Sequence, residues 1–135
     1  MEYLIGVVLG AVVAALGVFV GFDRDRSFYP TVLIVIGAYY ALFALLAPPP
    51  AEPLVAEVAV GCVFLVVAVI GYKRSPMLVA AGMAGHGVFD FFHHRLIDNP
   101  GVPVWWPGFC MTIDVALGVW LWALTRRRAS RSGAI

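Results

Sequence analysis

The sequence predicts an all-α integral membrane bundle of five transmembrane helices, with the N-terminus outside and the C-terminus cytoplasmic. Three observations predict it. Of 135 residues, 62% are hydrophobic and 13% charged, with a mean hydropathy of +0.94. A soluble domain of this length has no interior large enough to hide that much apolar surface. Five apolar runs are each long enough to cross hydrocarbon about 30 Å thick, which takes about 20 helical residues. Finally, when these runs alternate across a bilayer, eight of the nine Lys and Arg residues fall on one side.

The runs lie at about 3–21, 31–47, 54–72, 77–94 and 107–125 and form one domain over residues 1–125, followed by a basic tail at 126–135. The first begins Met1-Glu2 without a basic leader and stays apolar for about 19 residues, so it reads as a retained span rather than a cleaved signal. Asp23-Arg24-Asp25-Arg26 ends it as a solvated turn of compensating charges, and Pro30 suits the first turn of the next helix. Pro48-Pro49-Pro50 stops the second run and Pro53 opens the third. Lys73-Arg74-Ser75-Pro76 divides the third from the fourth, and Asn99-Pro100-Gly101-Val102-Pro103 divides the fourth from the fifth.

Arg24, Arg26, Lys73, Arg74, Arg126, Arg127, Arg128 and Arg131 share the inner side, and only Arg95 lies outside. By the positive-inside rule this is a multi-pass protein of the cell's inner (plasma) membrane, of bacterial type, whose main partner is the lipid bilayer. Trp105 and Trp106 then sit at the outer interface, and Trp120 and Trp122 approach the inner one. The arginine tail sets topology and attracts anionic headgroups. A net charge of +1 argues against a nucleic-acid partner. Cys62 and Cys110 match no metal or redox spacing and read as buried thiols.

Small residues recur at helical spacing. Gly6, Gly10 and Ala14 form one row, Gly17 and Gly21 another, and Ala81 with Gly85 a third, beside Gly82 and Gly87. Such rows let backbones approach closely in lipid. They serve either packing within the chain or homo-oligomerisation through the first helix.

Chemistry concentrates in the fourth run, which reads Gly85-His86-Gly87-Val88-Phe89-Asp90-Phe91-Phe92-His93-His94. At 100° per residue, Asp90 lies about 40° from His86, His93 about 20° to the other side, and His94 about 80° away on the shoulder. By depth, His86 is about 12 Å and Asp114 about 10 Å below the outer boundary. Cys110 shares the face of Asp114, and Glu57 lies just inside the outer end of the third run. Tyr39 or Tyr40 is placed to donate a hydrogen bond to this acidic group. Ionisable groups in a membrane face the bundle interior or a water-filled cavity and carry a partner.

Three roles fit such a cluster. The candidate metal ligands are His86, Asp90, His93, His94 and Asp114, in a pocket completed by Glu57, Cys110, Trp105 and Trp106. Imidazoles with carboxylates suit zinc or another divalent metal, and a metal-bound water could hydrolyse an ester or amide at the membrane surface. A second role is proton or ion passage, as in a small transporter, although the inner halves of the runs look apolar. A third is a satisfied polar cluster that fixes helix register, in a structural or accessory subunit of a membrane complex. No catalytic residue is assigned, because neither His-Glu-x-x-His nor Gly-x-Ser-x-Gly occurs. Residues 95–107, with three prolines and two tryptophans, lie over the cluster as a rigid interfacial turn or a headgroup platform, with Asp98 turning the chain through its side chain.

Phe22-Asp23-Arg24-Asp25-Arg26-Ser27-Phe28-Tyr29-Pro30, Gly85-His86-Gly87-Val88-Phe89-Asp90, Asn99-Pro100-Gly101-Val102-Pro103 and Trp105-Trp106-Pro107 resemble a group of small uncharacterised bacterial membrane proteins, a likeness that implies no activity. More loosely, the His and Asp content is similar to that of intramembrane metal hydrolases of the alkaline ceramidase type. Those are larger and distribute their ligands differently, so the similarity assigns no roles.

Overall fold

The computed structural model describes residues 1–47 and 52–133 and is all-helical there: α1 (Glu2–Val20), α2 (Phe28–Leu46), α3 (Glu52–Arg74), α4 (Pro76–Leu96) and α5 (Trp106–Ser132), with a 3₁₀ turn at Phe22–Arg24. The expected break at Pro48-Pro49-Pro50 lies outside the described residues. The other breaks have local causes. Gly21 ends α1 with φ 88°, a left-handed conformation that favours glycine, and its N–H donates to the carbonyl of Gly17. Ser75 caps α4, its hydroxyl accepting from the Met77 N–H at 3.2 Å, and Pro76 takes the first turn, where no N–H is needed. The last helix continues about two turns past its expected span, so Arg126, Arg127 and Arg128 are helical.

Helix α5 packs between α1 and α4, and α3 packs between α2 and α4. The interior is filled by Leu33, Val79, Met83 and Leu117, none more than 1% exposed. The periphery is apolar, with Phe19, Leu46, Val55, Val63 and Val119 pointing outward. This arrangement, an apolar periphery around buried polar side chains, is the one a membrane bundle requires. Helices α1, α2, α3 from Pro53, and α5 are long and apolar enough to cross a membrane. Helix α4 has the length, 21 residues or about 31 Å, but its inward face carries the polar side chains.

Two expectations are revised here. On α4 it is Gly82 and Gly87 that are packed, against Leu33 with Val67 and against Val115 with Met111, whereas Ala81 and Gly85 are exposed. The rotation that buries His86 and Asp90 turns the Ala81–Gly85 row outward. The 22–27 turn is also not simply solvated, because the Asp23 side chain is 8% exposed and pairs with Arg128 of α5 at 2.8 Å. The Gly6, Gly10 and Ala14 row lies within the chain: a Cβ at Gly6 would collide with Thr112, and one at Gly10 would meet Ala116 at 3.0 Å.

Candidate functional site

The inward face of α4 brings His86, Asp90 and His93 into the bundle, each at most 1% exposed. Facing helices supply the rest. On α5, Asp114 is fully buried, and Cys110, one turn earlier, is 4% exposed. On α2, Leu33, Ile36, Gly37 and Tyr40 form the buried stripe, which leaves Tyr39 to one side. On α3, Glu57, Ala68 and Gly71 are buried at helical spacing, with Gly61 and Phe64 between them on the same stripe.

Two linked groups result. In the first, His86 Nδ1 lies 2.7 Å from Asp114 Oδ2 and 3.4 Å from Asp90 Oδ2. Asp90 Oδ1 accepts the Tyr40 hydroxyl proton at 2.6 Å, so the tyrosine expected to reach the acids is Tyr40. In the second, His93 Nε2 lies 2.8 Å from Glu57 Oε1, which also accepts from Asn99 Nδ2 at 2.9 Å. The Tyr40 ring joins them, stacking on His93 at a centroid distance of 3.9 Å and an interplanar angle of 13°. Asn99 ties the α4–α5 loop down by donating to the Tyr40 carbonyl at 3.1 Å, while its own Oδ1 accepts from the Gly101 N–H. A Cβ at Gly101 would collide with the Phe43 carbonyl, so the loop lies directly on α2.

His86, Asp90 and Asp114 each offer one ligand atom, and the three atoms lie within 4.8 Å of one another. His86 Nε2, Asp90 Oδ2 and Asp114 Oδ1 have no hydrogen-bond partner. The other candidates fall elsewhere. His93 belongs to the Glu57–Asn99 group, and His94, on the shoulder as expected, is exposed. Trp105 is 51% exposed, and Trp106 packs edge-on against Phe43 and Tyr39 at 4.8 and 5.2 Å, away from the acids. Asp98 is exposed, and the side chain that turns the loop is that of Asn99. Cys110 is buried as expected, but Cys62 faces outward, and both thiols are free.

Sequence reasoning missed Asn99, since Asn-Pro-Gly reads as a turn and nothing in it signals a side chain reaching inward. Tyr40 had a usable signal. Gly37, three residues earlier, marks the closely packed face of α2, where a Cβ would meet Phe64 at 3.2 Å.

Fold and site together define an all-helical protein, with four helices apolar enough to cross a membrane and a buried His/carboxylate group toward one end of the bundle. The chain belongs to a family of unknown function, DUF6010, whose sequence model matches residues 1–127. No curated protein and no solved structure matches it, so the analogy to ceramidase-type hydrolases gains no support from a relative.

Proposed function

We propose that this is a five-span protein of the inner (plasma) membrane, N-terminus outside, that holds a divalent cation between His86, Asp90 and Asp114. The observation that carries this reading is that one ligand atom from each of two carboxylates and one imidazole, all at most 1% exposed, lies within 4.8 Å of the others. Buried charge of one sign is unstable unless compensated. Two carboxylates with a neutral imidazole require two positive charges, and one divalent ion supplies both. The spacing suits the ion as well. Ligands about 2.0–2.1 Å from a tetrahedral zinc lie about 3.3 Å apart. The His86–Asp90 separation is already 3.4 Å, and the His86–Asp114 contact of 2.7 Å needs only a small opening.

Zinc fits this donor set, and three protein ligands leave a fourth position. Metal-assisted hydrolysis would use that position. The burial of all three ligands gives substrate no contact with them in this conformation, so the reading stops at cation binding. The 2.7 Å contact favours one alternative, in which two protons replace the metal and the cluster works as a proton-holding site or relay within the membrane.

Elemental mass spectrometry of the detergent-purified chain decides between them. Near-stoichiometric zinc, iron or copper is expected in the wild type and after His93→Ala, and is lost after His86→Ala or Asp114→Ala. Absence of metal after incubation with excess zinc would sink the cation reading and leave the proton-bearing cluster.

A further inference from the structure

A second polar site lies at the opposite end of the bundle. A cavity of about 300 Å³ opens between the 22–27 turn, the C-terminal ends of α3 and α5 and the N-terminal end of α4. That volume is at the small end of the range for ligand pockets. Val79, the cavity's deepest wall residue on α4, precedes His86 by seven residues, about 10 Å along the helix, and neither His86, Asp90 nor Asp114 lines the cavity, so the two sites are separate.

The lining carries both signs of charge. Asp23 and Arg128 are already committed to each other through a 2.8 Å ion pair, reinforced by a 3.0 Å bond from Arg128 to the Asp23 carbonyl. Asp25 and Arg26 remain. Asp25 accepts the Ser27 N–H at 2.9 Å, which holds its carboxyl below the usual range and keeps it ionised at neutral pH. Arg26 makes no ion pair with any described residue. Tyr29 also lines the cavity. It is 3% exposed, and its hydroxyl is buried toward Gly17 of α1, so the residue presents ring and backbone to the cavity rather than a donor.

The cavity does not end at its polar lining. A groove of about 200 Å³ between α2 and α3 shares Pro30 and Tyr72 with it. The groove's lining, Thr31 and Ile34 on one side and Val69 and Ala68 on the other, leads along both helices away from the charged end. A polar chamber with matched charges, continued by an apolar groove along the bundle, has the form of a single amphiphile.

We infer that this end of the bundle binds one glycerophospholipid with a zwitterionic, ammonium-bearing headgroup. Its phosphodiester would meet Arg26, its ammonium would meet Asp25, and one acyl chain would lie along Thr31, Ile34 and Val69. An anionic headgroup fits less well, because Asp25 would face it without compensation.

The test is native mass spectrometry of the full chain in detergent, titrated with dioleoyl phosphatidylethanolamine and separately with dioleoyl phosphatidylglycerol. One phosphatidylethanolamine per chain is expected to persist. Its affinity should fall about tenfold with Arg26→Gln or Asp25→Asn, the loss of one charge-assisted contact. The asparagine keeps the oxygen that accepts from Ser27, and Arg26 is exposed, so both variants should melt as wild type does. Tyr29→Phe, which removes a hydroxyl that does not open onto the cavity, should leave binding unchanged. Equal or tighter binding of phosphatidylglycerol, no one-to-one lipid adduct, or affinity unchanged in both charge variants would each overturn the inference. So would complete displacement by free phosphoethanolamine, which would make the occupant a small soluble molecule rather than a lipid.

Discussion

Tyr40 is where the two halves of the buried polar group meet, and it uses three different parts to join them. Its hydroxyl donates to Asp90, its ring stacks on His93, and its carbonyl accepts from Asn99. Tyr40→Phe removes only the first of these and leaves an oxygen of Asp90 without its donor. In water-soluble proteins that loss costs about 1–3 kcal/mol. Within a membrane the unfolded reference also finds partners, so about 1 kcal/mol is the better expectation. Thermal unfolding followed by circular dichroism in detergent should show a clear drop in Tm. A Tm equal to wild type would mean that Asp90 finds another donor and that Tyr40 is packing alone. Tyr40→Ala also removes the ring and should cost more, about 3–5 kcal/mol. The residue scale is where the sequence was least legible. Rotation about α4 identified His86, Asp90 and His93 as one inward stripe and set His94 apart. Depth counted along α4 and α5 set Asp114 level with His86, whereas the pairing of Glu57 with His93 was not read, because it depends on how α3 sits against α4.

At the scale of elements, the close approaches are made by glycines that spacing alone does not single out. Gly118 sits where α5 meets α4. A Cβ there would come within 3.0 Å of the Ala80 carbonyl and 3.2 Å of the Ala84 nitrogen, both backbone atoms that cannot step aside. Gly85, one turn along the same helix pair's length, has nothing within 4 Å of an added Cβ. The two alanine substitutions should therefore act in opposite directions. Gly85→Ala gains helix propensity and should leave Tm unchanged or raise it, by an amount on the order of 0.5–1 kcal/mol. Gly118→Ala should lower it and, by separating α4 from α5, should also reduce any metal bound between His86 and Asp114. Equal effects would show that the α4–α5 contact is looser than the structure has it. The helices and most of their described breaks were legible because each rests on local chemistry, the charged Asp23–Arg26 turn after α1 and Lys73-Arg74-Ser75-Pro76 between α3 and α4, although the left-handed cap at Gly21 was not read. Which small residues face a neighbour was not, since α4 carries Gly82, Gly85 and Gly87 within two turns and only the packed structure tells them apart.

For the whole molecule, the two polar sites stand at opposite ends of an apolar bundle, and the cations distinguish the ends. Arg24, Arg26, Lys73, Arg74 and the arginines of α5 gather where α1, α3 and α5 finish, and Arg95 alone accompanies the His/carboxylate end. Helix α4 decides the topology, because it is the one long helix whose composition falls short of the other four. If it crosses, its polar stripe is hidden against α2, α3 and α5, as the burial of His86, Asp90 and His93 requires. The loop at Asp98 is then outside and Ser130 inside. Single cysteines at these two positions, one before α5 and one near its C-terminal end, in a chain with Cys62 and Cys110 replaced by alanine, test the crossing and direction of α5 with a membrane-impermeant maleimide on intact cells. Asp98→Cys should label at once and Ser130→Cys only after permeabilisation. The reverse pattern would invert the bundle and place the cation site near the cytoplasmic face. Labelling of both from one side would remove α5 as a crossing helix, and with it the reason for two of its buried residues, Asp114 and Cys110, to lie at the depth of the α4 stripe.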